Sequence, residues 1–409
     1  SITMKKVAIL FFLISLQIHA QVKSGTWRGV LLIDEAQHLE LPFTFEIENG
    51  KSKKIIKIKN ADEVIVVDEV AIKKDSLNFK MPVFDSEFRT KIIGDTLLQG
   101  VWINHSRKDH PQIKFTGYFG NYNRFNLVPD KPNLFYNGKW EVTFSPNVKD
   151  STKAIGVFTQ INNSSYVKGT FLTETGDYRY LEGVIHDRKM YLSCFDGSHA
   201  FLFIAENNGS EISNGSFYSG NHWHETWIGK RNEGFNLTDP EQLTSLVNPN
   251  SIIEFSFLNL SKKKVSLSDA KYKNKPVIIQ IMGSWCPNCL DETAYLSELY
   301  KTYNKKGLEL IAISFERTTD ISKASSNLLR LKKRFNLTYE ILVPGTSGKE
   351  NASLSLPFLN KISAFPTTLI LDKNHHVKVI YTGFSGPATG AEYEKFKLRF
   401  ENIVQQVLK

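Results

Sequence analysis

The stretch IMGSWCPNCLDE, residues 281–292, holds two of the three cysteines of a 409-residue chain, separated only by Pro287 and Asn288. It closes the β-branched apolar run KPVIIQIMG (275–283). It also opens CLDETAYLSELYKTYNKKG (289–307), where early acids, late lysines and the stop at Gly307 predict a helix. The pair therefore sits at a strand-to-helix junction. There the unsatisfied amides and the positive end of the helix dipole favour a thiolate on Cys286, the form that attacks disulfides. Cys289, about one turn along the same helix face, is placed to attack a mixed disulfide on Cys286 and release the product. Pro287 suits a first turn because its missing N–H is not needed there, and Asn288 helps set how oxidising the pair is. The chemistry requires the Cys286 sulfur to be open to visitors.

Working outward, LELIAISFE (308–316) reads as a second buried strand and ISKASSNLLRLKKRF as a further helix. TYEILV is a short strand, TTLILD and VKVIYTG flank a turn at KNHH, and AEYEKFKLRFENIVQQVL closes the chain as a helix. Strands alternating with helices imply a parallel, covered sheet, so residues 251–409 are expected to form an α/β domain. Half a zinc site is the alternative for the cysteine pair, but it lacks a second ligand pair nearby. His222 and His224 in HWHETW share one strand face, and two ligands do not make a metal site. No metal is expected.

These residues carry a resemblance. KKVSLSDAKYKNKPVIIQIMGSWCPNCLDE, LELIAIS, AFPTTLILD and YTGFSGP make residues 250–409 similar to the thioredoxin fold, and more narrowly to the extracytoplasmic TlpA-like thiol-disulfide oxidoreductases. The resemblance implies Cys286 as the attacking thiol and Cys289 as the resolving one, forming a redox-active disulfide and needing no other cofactor. It implies that Glu292 manages protons beside the pair, and that Pro366, after Phe365, is a cis-proline offering backbone to an incoming peptide. Trp285 and Pro287 complete the expected substrate-facing surface, with Trp285 shielding the pair. The chain departs from thioredoxins proper at Gln280, where they carry a buried Asp, so any buried-carboxylate role falls to Glu292. The segment between Phe315 and Pro366 is also longer than in a minimal thioredoxin, and its loop PGTSGKENASLSLP is expected to border the substrate groove.

From about Gly25 to Trp227 the pattern is different. Short alternating segments such as LPFTFEIE, QIKFTGYF and YVKGTFLTE are separated by Asn, Gly, Asp and Ser, which predicts an all-β antiparallel module over 21–235. GTWRGVLL (25–32) echoes GKWEVTF (138–144), and MPVFDSEF (81–88) echoes LSCFDGSHAF (192–201). The echo suggests two copies, 21–130 and 131–235, which either close as separate barrels or share one sheet system. Cys194 is expected to face the core of this module. Asp239-Pro240-Glu241 predicts a linker helix within 236–250, with Asp as cap and Pro at the first helical position.

At the start, Lys5 and Lys6, the apolar VAILFFLISL and then QIHA read as a secretory signal, residues 1–20, cut after Ala20. No cysteine follows to carry a lipid anchor, and no later run is long enough to span a bilayer. The expected location is the periplasm or outside the cell. The charge of +9 falls to +7 without Lys5 and Lys6. KSKKIIKIK (51–59) alternates as a strand with a wet face and carries no interleaved aromatics, so nucleic acid is not an expected partner. The expected partners are a disulfide-containing protein and an upstream thiol donor such as a membrane relay, with the β module holding a protein or ligand. Two other readings stay open: a thiol peroxidase on the same fold, and a ligand- or metal-binding β protein with an accessory redox domain. Peroxidatic sites of that relative show a Thr three residues before the attacking Cys, where this chain has Gly283.

Overall fold

A computed structural model describes residues 22–108, 110–120, 123–128, 136–161 and 164–409, and the expected leader 1–20 lies outside them. As the alternation predicts, the N-terminal region is antiparallel β throughout, in two separate nine-stranded sheets. The first runs from Gly25–Asp34 to Gln112–Phe119, and these two strands pair with each other. Its free edges are Glu63–Val67 and Glu69–Lys73. Ile56 and Ile58 are fully buried, while Lys57 and Lys59 on the opposite face pair with Glu48 and Glu46. In the second sheet, strand Thr152–Gln160 pairs with Gly138–Phe144 on one side and Tyr166–Thr173 on the other, closing a barrel. The two-residue strand Gly176–Asp177 hangs from its rim.

The tryptophans of the sequence echo occupy equivalent places in the two sheets. Each lies in a first strand paired with the last strand of its sheet. Each indole N–H donates to a carbonyl four residues back, Trp27 to Lys23 (3.1 Å) and Trp140 to Tyr136 (2.8 Å). The second echo supplies the seam between the sheets. The Ser86 hydroxyl donates to the Gly197 carbonyl (2.5 Å), Asn60 exchanges hydrogen bonds with the Phe195 backbone, and Phe195 stacks on Phe43 at 4.7 Å. Arg124, buried, reaches Glu182 and Ser193 of the second sheet and Asn60 of the first. Pairing that guanidinium so fully is what makes its burial tolerable.

The expected linker helix shrinks to one 3-10 turn, Pro240–Gln242, capped by the Asp239 carboxylate accepting from the Glu241 amide. The next residues turn outward to pair with the C-terminal domain and so cannot continue an i to i−4 ladder. Ser245 and Asn360 exchange hydrogen bonds, and the Val247 amide donates to the Phe358 carbonyl.

Beyond the linker lies an α/β domain. Its strands are β1 (Val277–Met282), β2 (Glu309–Glu316), β3 (Glu340–Thr346), β4 (Thr367–Leu371) and β5 (Val377–Thr382). Its helices are α1 (Pro287–Tyr303), α2 (Ile321–Phe335), α3 (Lys349–Ser355) and α4 (Ala391–Leu408). The sheet order is β3-β2-β1-β4-β5, with β1, β2 and β3 parallel and β4 antiparallel to β1. All six residues of β1 are buried because helices or loops cover both faces. Ile278 and Met282 face α1, α2 and α4, while Ile279 and Ile281 face a core shared with Tyr272, Ala352 and Leu356. Ala352 and Leu356 belong to the loop expected at the substrate groove. That loop instead forms α3 and packs Ala352 and Leu356 into this second core.

Candidate active site

Cys286 is the N-cap of α1, with φ −102° and ψ 110°. Its extended backbone lets Sγ turn back over the first turn, where the Cys289 amide donates to it at 3.2 Å. The two sulfurs form a disulfide, with the α-carbons 5.2 Å apart. An amide aimed at Sγ at a helix N-terminus favours the thiolate once the pair is reduced. The Phe365–Pro366 peptide is cis, and the Phe365 carbonyl oxygen lies 3.5 Å from Cys286 Sγ.

The turn before Cys286 is held from β2. Trp285 Nε1 donates to the Phe315 carbonyl (2.9 Å), and its ring meets Phe365 edge-on at 5.6 Å. Glu316, buried at the end of β2, accepts from the Ser284 amide (2.9 Å), the Ser284 hydroxyl (2.6 Å) and the Ser314 hydroxyl (2.7 Å). Sequence reasoning does not single out Glu316. Its signal is a carboxylate ending an otherwise apolar strand, which must find donors or leave the core.

Glu292 is fully buried, five residues into α1. Gln280 Nε2 donates to one carboxylate oxygen and the Thr368 hydroxyl to the other, each at 2.9 Å. Gln280 also reaches the Cys289 carbonyl (3.3 Å), so the residue that replaces the usual Asp links Glu292 to the resolving cysteine. Burial pushes the Glu292 carboxyl up to about 7 against the pull of these two hydrogen bonds.

The expectation of an open sulfur needs correction: Cys286 is only 5% exposed and Cys289 is fully buried. The cover is the barrel formed by the second sheet. Asn288 Nδ2 donates to the Asp177 carbonyl (3.2 Å), and the Ser198 hydroxyl to the Trp285 carbonyl (3.2 Å). The Asp177 carboxylate accepts from the Gly386 amide (2.6 Å), and a Cβ on Gly176 would sit 2.0 Å from Asn288 Nδ2. Burial raises the Asp177 carboxyl despite that bond and the neighbouring Arg179. Arg179, buried, pairs with Asp291 of α1, with Glu63 of the first sheet and with Asp196 (3.6 Å). All three parts of the molecule meet at this guanidinium.

Two cavities flank the motif. One of about 400 Å³ is lined by Asn288, Asp177, His199, His222 and Arg107; the other, about 410 Å³, by Trp285, Arg317, His105, Lys323 and again Arg107. No residue of the 344–357 loop lines either. Cys194 lies in the barrel core, fully buried, with its thiol pushed well up by desolvation. Among the described residues no cluster of three or more His, Cys, Asp or Glu is placed to hold a metal ion.

Fold and site together give residues 251–409 a thioredoxin-like domain, with the cysteine pair at the start of its first helix. Residues 250–380 match the AhpC/TSA family. Over 130 residues, 32% of this chain, it is 31% identical to the thiol-disulfide oxidoreductase ResA of Geobacillus thermodenitrificans, covering 66% of that protein. It is 28% identical to the thioredoxin-like protein YneN of Bacillus subtilis, again over 130 residues and covering 68% of it. The matches to ResA proteins thus span slightly less than two thirds of their length. Among solved structures, a thiol:disulfide interchange protein of the thioredoxin family from Chlorobium tepidum aligns at 20% identity and a TM-score of 0.30, covering 40% of this chain and all of that one.

Proposed function

We propose that this protein is a thiol-disulfide oxidoreductase acting outside the cytoplasm, reducing or exchanging disulfides of exported proteins through Cys286 and Cys289. The observation that carries the reading is the Cys286 sulfur at the α1 N-terminus, under the Cys289 amide and beside the Phe365 carbonyl. In the reduced enzyme, once the barrel's contacts at Asp177 and Ser198 part from the motif, the Cys286 thiolate attacks one sulfur of a substrate disulfide. The other substrate sulfur leaves as a thiolate and takes up a proton. The Cys289 thiol then gives its proton to Glu292 and attacks Cys286 Sγ, expelling the second substrate sulfur and closing the enzyme disulfide. Two electrons pass to the substrate, and an external dithiol, supplied by a membrane relay, returns them. The leader pattern in residues 1–20 supports an extracytoplasmic site of action. Among the described residues no helix is long and apolar enough to cross a membrane.

The peroxidase reading is not favoured. A Cβ at Gly283 would lie 2.2 Å from Trp285 Nε1 and 2.9 Å from the Phe315 carbonyl, leaving no room for the Thr that a peroxidatic site places there. The β module, in this reading, positions the redox domain and holds its client. Reduced protein should cleave insulin disulfides, and Cys286→Ser should abolish the activity. Cys289→Ser should strand the client as a mixed disulfide on Cys286, visible by mass spectrometry. Full turnover by Cys286→Ser would remove the assignment.

A further inference from the structure

Among the described residues, the cavity beside Trp285 is lined by more basic than acidic side chains. Arg107 enters from the first sheet and Arg317 from the end of β2, and Arg317 lies over the Trp285 ring at 3.9 Å. Lys108, His105 and His110 share the same walls. The acids nearby are already engaged. Asp85 takes Lys323 at 3.1 Å and Arg330 at 3.9 Å, and Glu87 takes His105 and Arg89. On the other side of the motif, Glu225 accepts from Ser145 and Trp223, while Asp196 is shared by Arg179 and His199. Among the described residues neither Arg107, Lys108 nor Arg317 makes an ion pair, and Asp109 of the same loop lies outside them.

Repulsion between like charges is felt at Arg317 and at His222. Desolvation together with Arg107 brings Arg317 down to about 10, and desolvation lowers Arg107. Desolvation and then the charges of Arg107, His199 and Arg317 hold His222 down to about 4. Like charges gathered at a recess without counter-charge cost free energy unless an anion completes them.

We propose that the cleft between Arg107 and Arg317 binds carboxylate side chains flanking the disulfide of a polypeptide client, so that the β module and the redox domain together select acidic sequences. The proposal rests on the disulfide-exchange reading above. A peptide fits better than a small anion because Arg107 lines both cavities. These adjoin Trp285 and Asn288 of the Trp285-Cys286-Pro287-Asn288 motif, so an acidic residue beside a bound cysteine would meet Arg107 from either cavity and Arg317 on the Trp285 side, while Asp177 and Glu225 line the other. Guanidinium groups suit such a role because their planar donor set matches a carboxylate.

The test uses the reduced full-length chain and two fluorogenic disulfide peptides that differ only in having Glu or Lys beside each cysteine. The Glu peptide should show kcat/KM about tenfold above the Lys peptide at low ionic strength, narrowing as salt rises. In the R107Q/R317Q double variant the preference should vanish; R317Q alone should narrow it by about threefold. Equal rates with the wild-type chain, or a preference that survives the double substitution, would overturn the proposal. If the wild-type chain reduces neither peptide, the oxidoreductase reading fails instead. Fluorescence anisotropy of a labelled, cysteine-free Glu peptide then decides the cleft, with tighter binding to wild type than to R107Q/R317Q expected and equal binding overturning it.

Discussion

At the scale of single residues, the pair Gln280 and Glu292 shows how one substitution is absorbed by a neighbour. A buried carboxylate needs donors on both oxygens, and Gln280 and Thr368 provide them from two adjacent strands. The carboxyl is held at about 7 by burial, whereas the unfolded chain titrates it near 4.5. Between those values the folded state keeps a proton that the unfolded state has lost. The stability this group contributes is therefore complete at low pH and falls away as pH rises toward 7, a swing on the order of 3 kcal/mol. Glu292→Gln should remove it: urea midpoints of the wild type should drop against those of the variant between about pH 4.5 and 7, then run parallel. The same substitution should flatten the alkaline rise near neutral pH in the rate at which Cys289 resolves the mixed disulfide. Parallel midpoints throughout that range would show that Glu292 is not buried as a neutral acid. The sequence marks Glu292 through resemblance and cannot show its protonation, because its desolvation arises from β4 and α1 meeting over it.

At the scale of elements, the turn from β1 to α1 is fixed by packing from β2. Gly283 permits the close approach of the Trp285 indole, and Glu316 ties the Ser284 amide and hydroxyl. Gly283→Ala would push the indole off the Phe315 carbonyl and should cost about 1–3 kcal/mol of stability, read as a lower Tm and a slower insulin reduction. An unchanged Tm would mean the turn relaxes freely. Most elements of this domain are legible in the sequence because their periodicity is local. α2 coincides with the stretch ISKASSNLLRLKKRF, its Asp320 cap accepting from the Ser322 and Lys323 amides. The linker differs because Asp239-Pro240 is a genuine helix start whose continuation is decided by distant partners. Thr244, Ser245 and Val247 spend their hydrogen-bonding groups on Thr382, Asn360 and Phe358. Helix α3 escapes a sequence reading because seven residues carry too little periodicity to outweigh the surrounding Gly and Ser.

At the scale of the whole molecule, the two copies of the echoed hairpin end at the redox domain. Asp85 of the first grips Lys323 and Arg330 of α2; Asp196 of the second holds Arg179, which binds Asp291 of α1. Arg179→Met would leave Asp196 buried with only His199 beside it, and Glu63 and Asp291 partly buried without their cation, a loss of about 3 kcal/mol at the joint. We expect faster thermolysin cleavage within residues 236–250 and, after reduction, faster alkylation of Cys286; unchanged protection at both sites would show that docking does not depend on this ion cluster. By itself the sequence determined what depends on neighbours along the chain: the α/β order of residues 251–409, the antiparallel β character before it, the cysteines at a helix start and the echo at Trp27 and Trp140. Only the tertiary structure decided that one sheet closes while the other stays open, that Glu316 holds the active turn, and that barrel loops cover Cys286. These facts rest on contacts between separate elements, such as Glu316 with Ser284, 32 positions apart, and Arg179 with Asp291, 112 apart, and no local pattern of hydrophobicity or spacing encodes such a meeting.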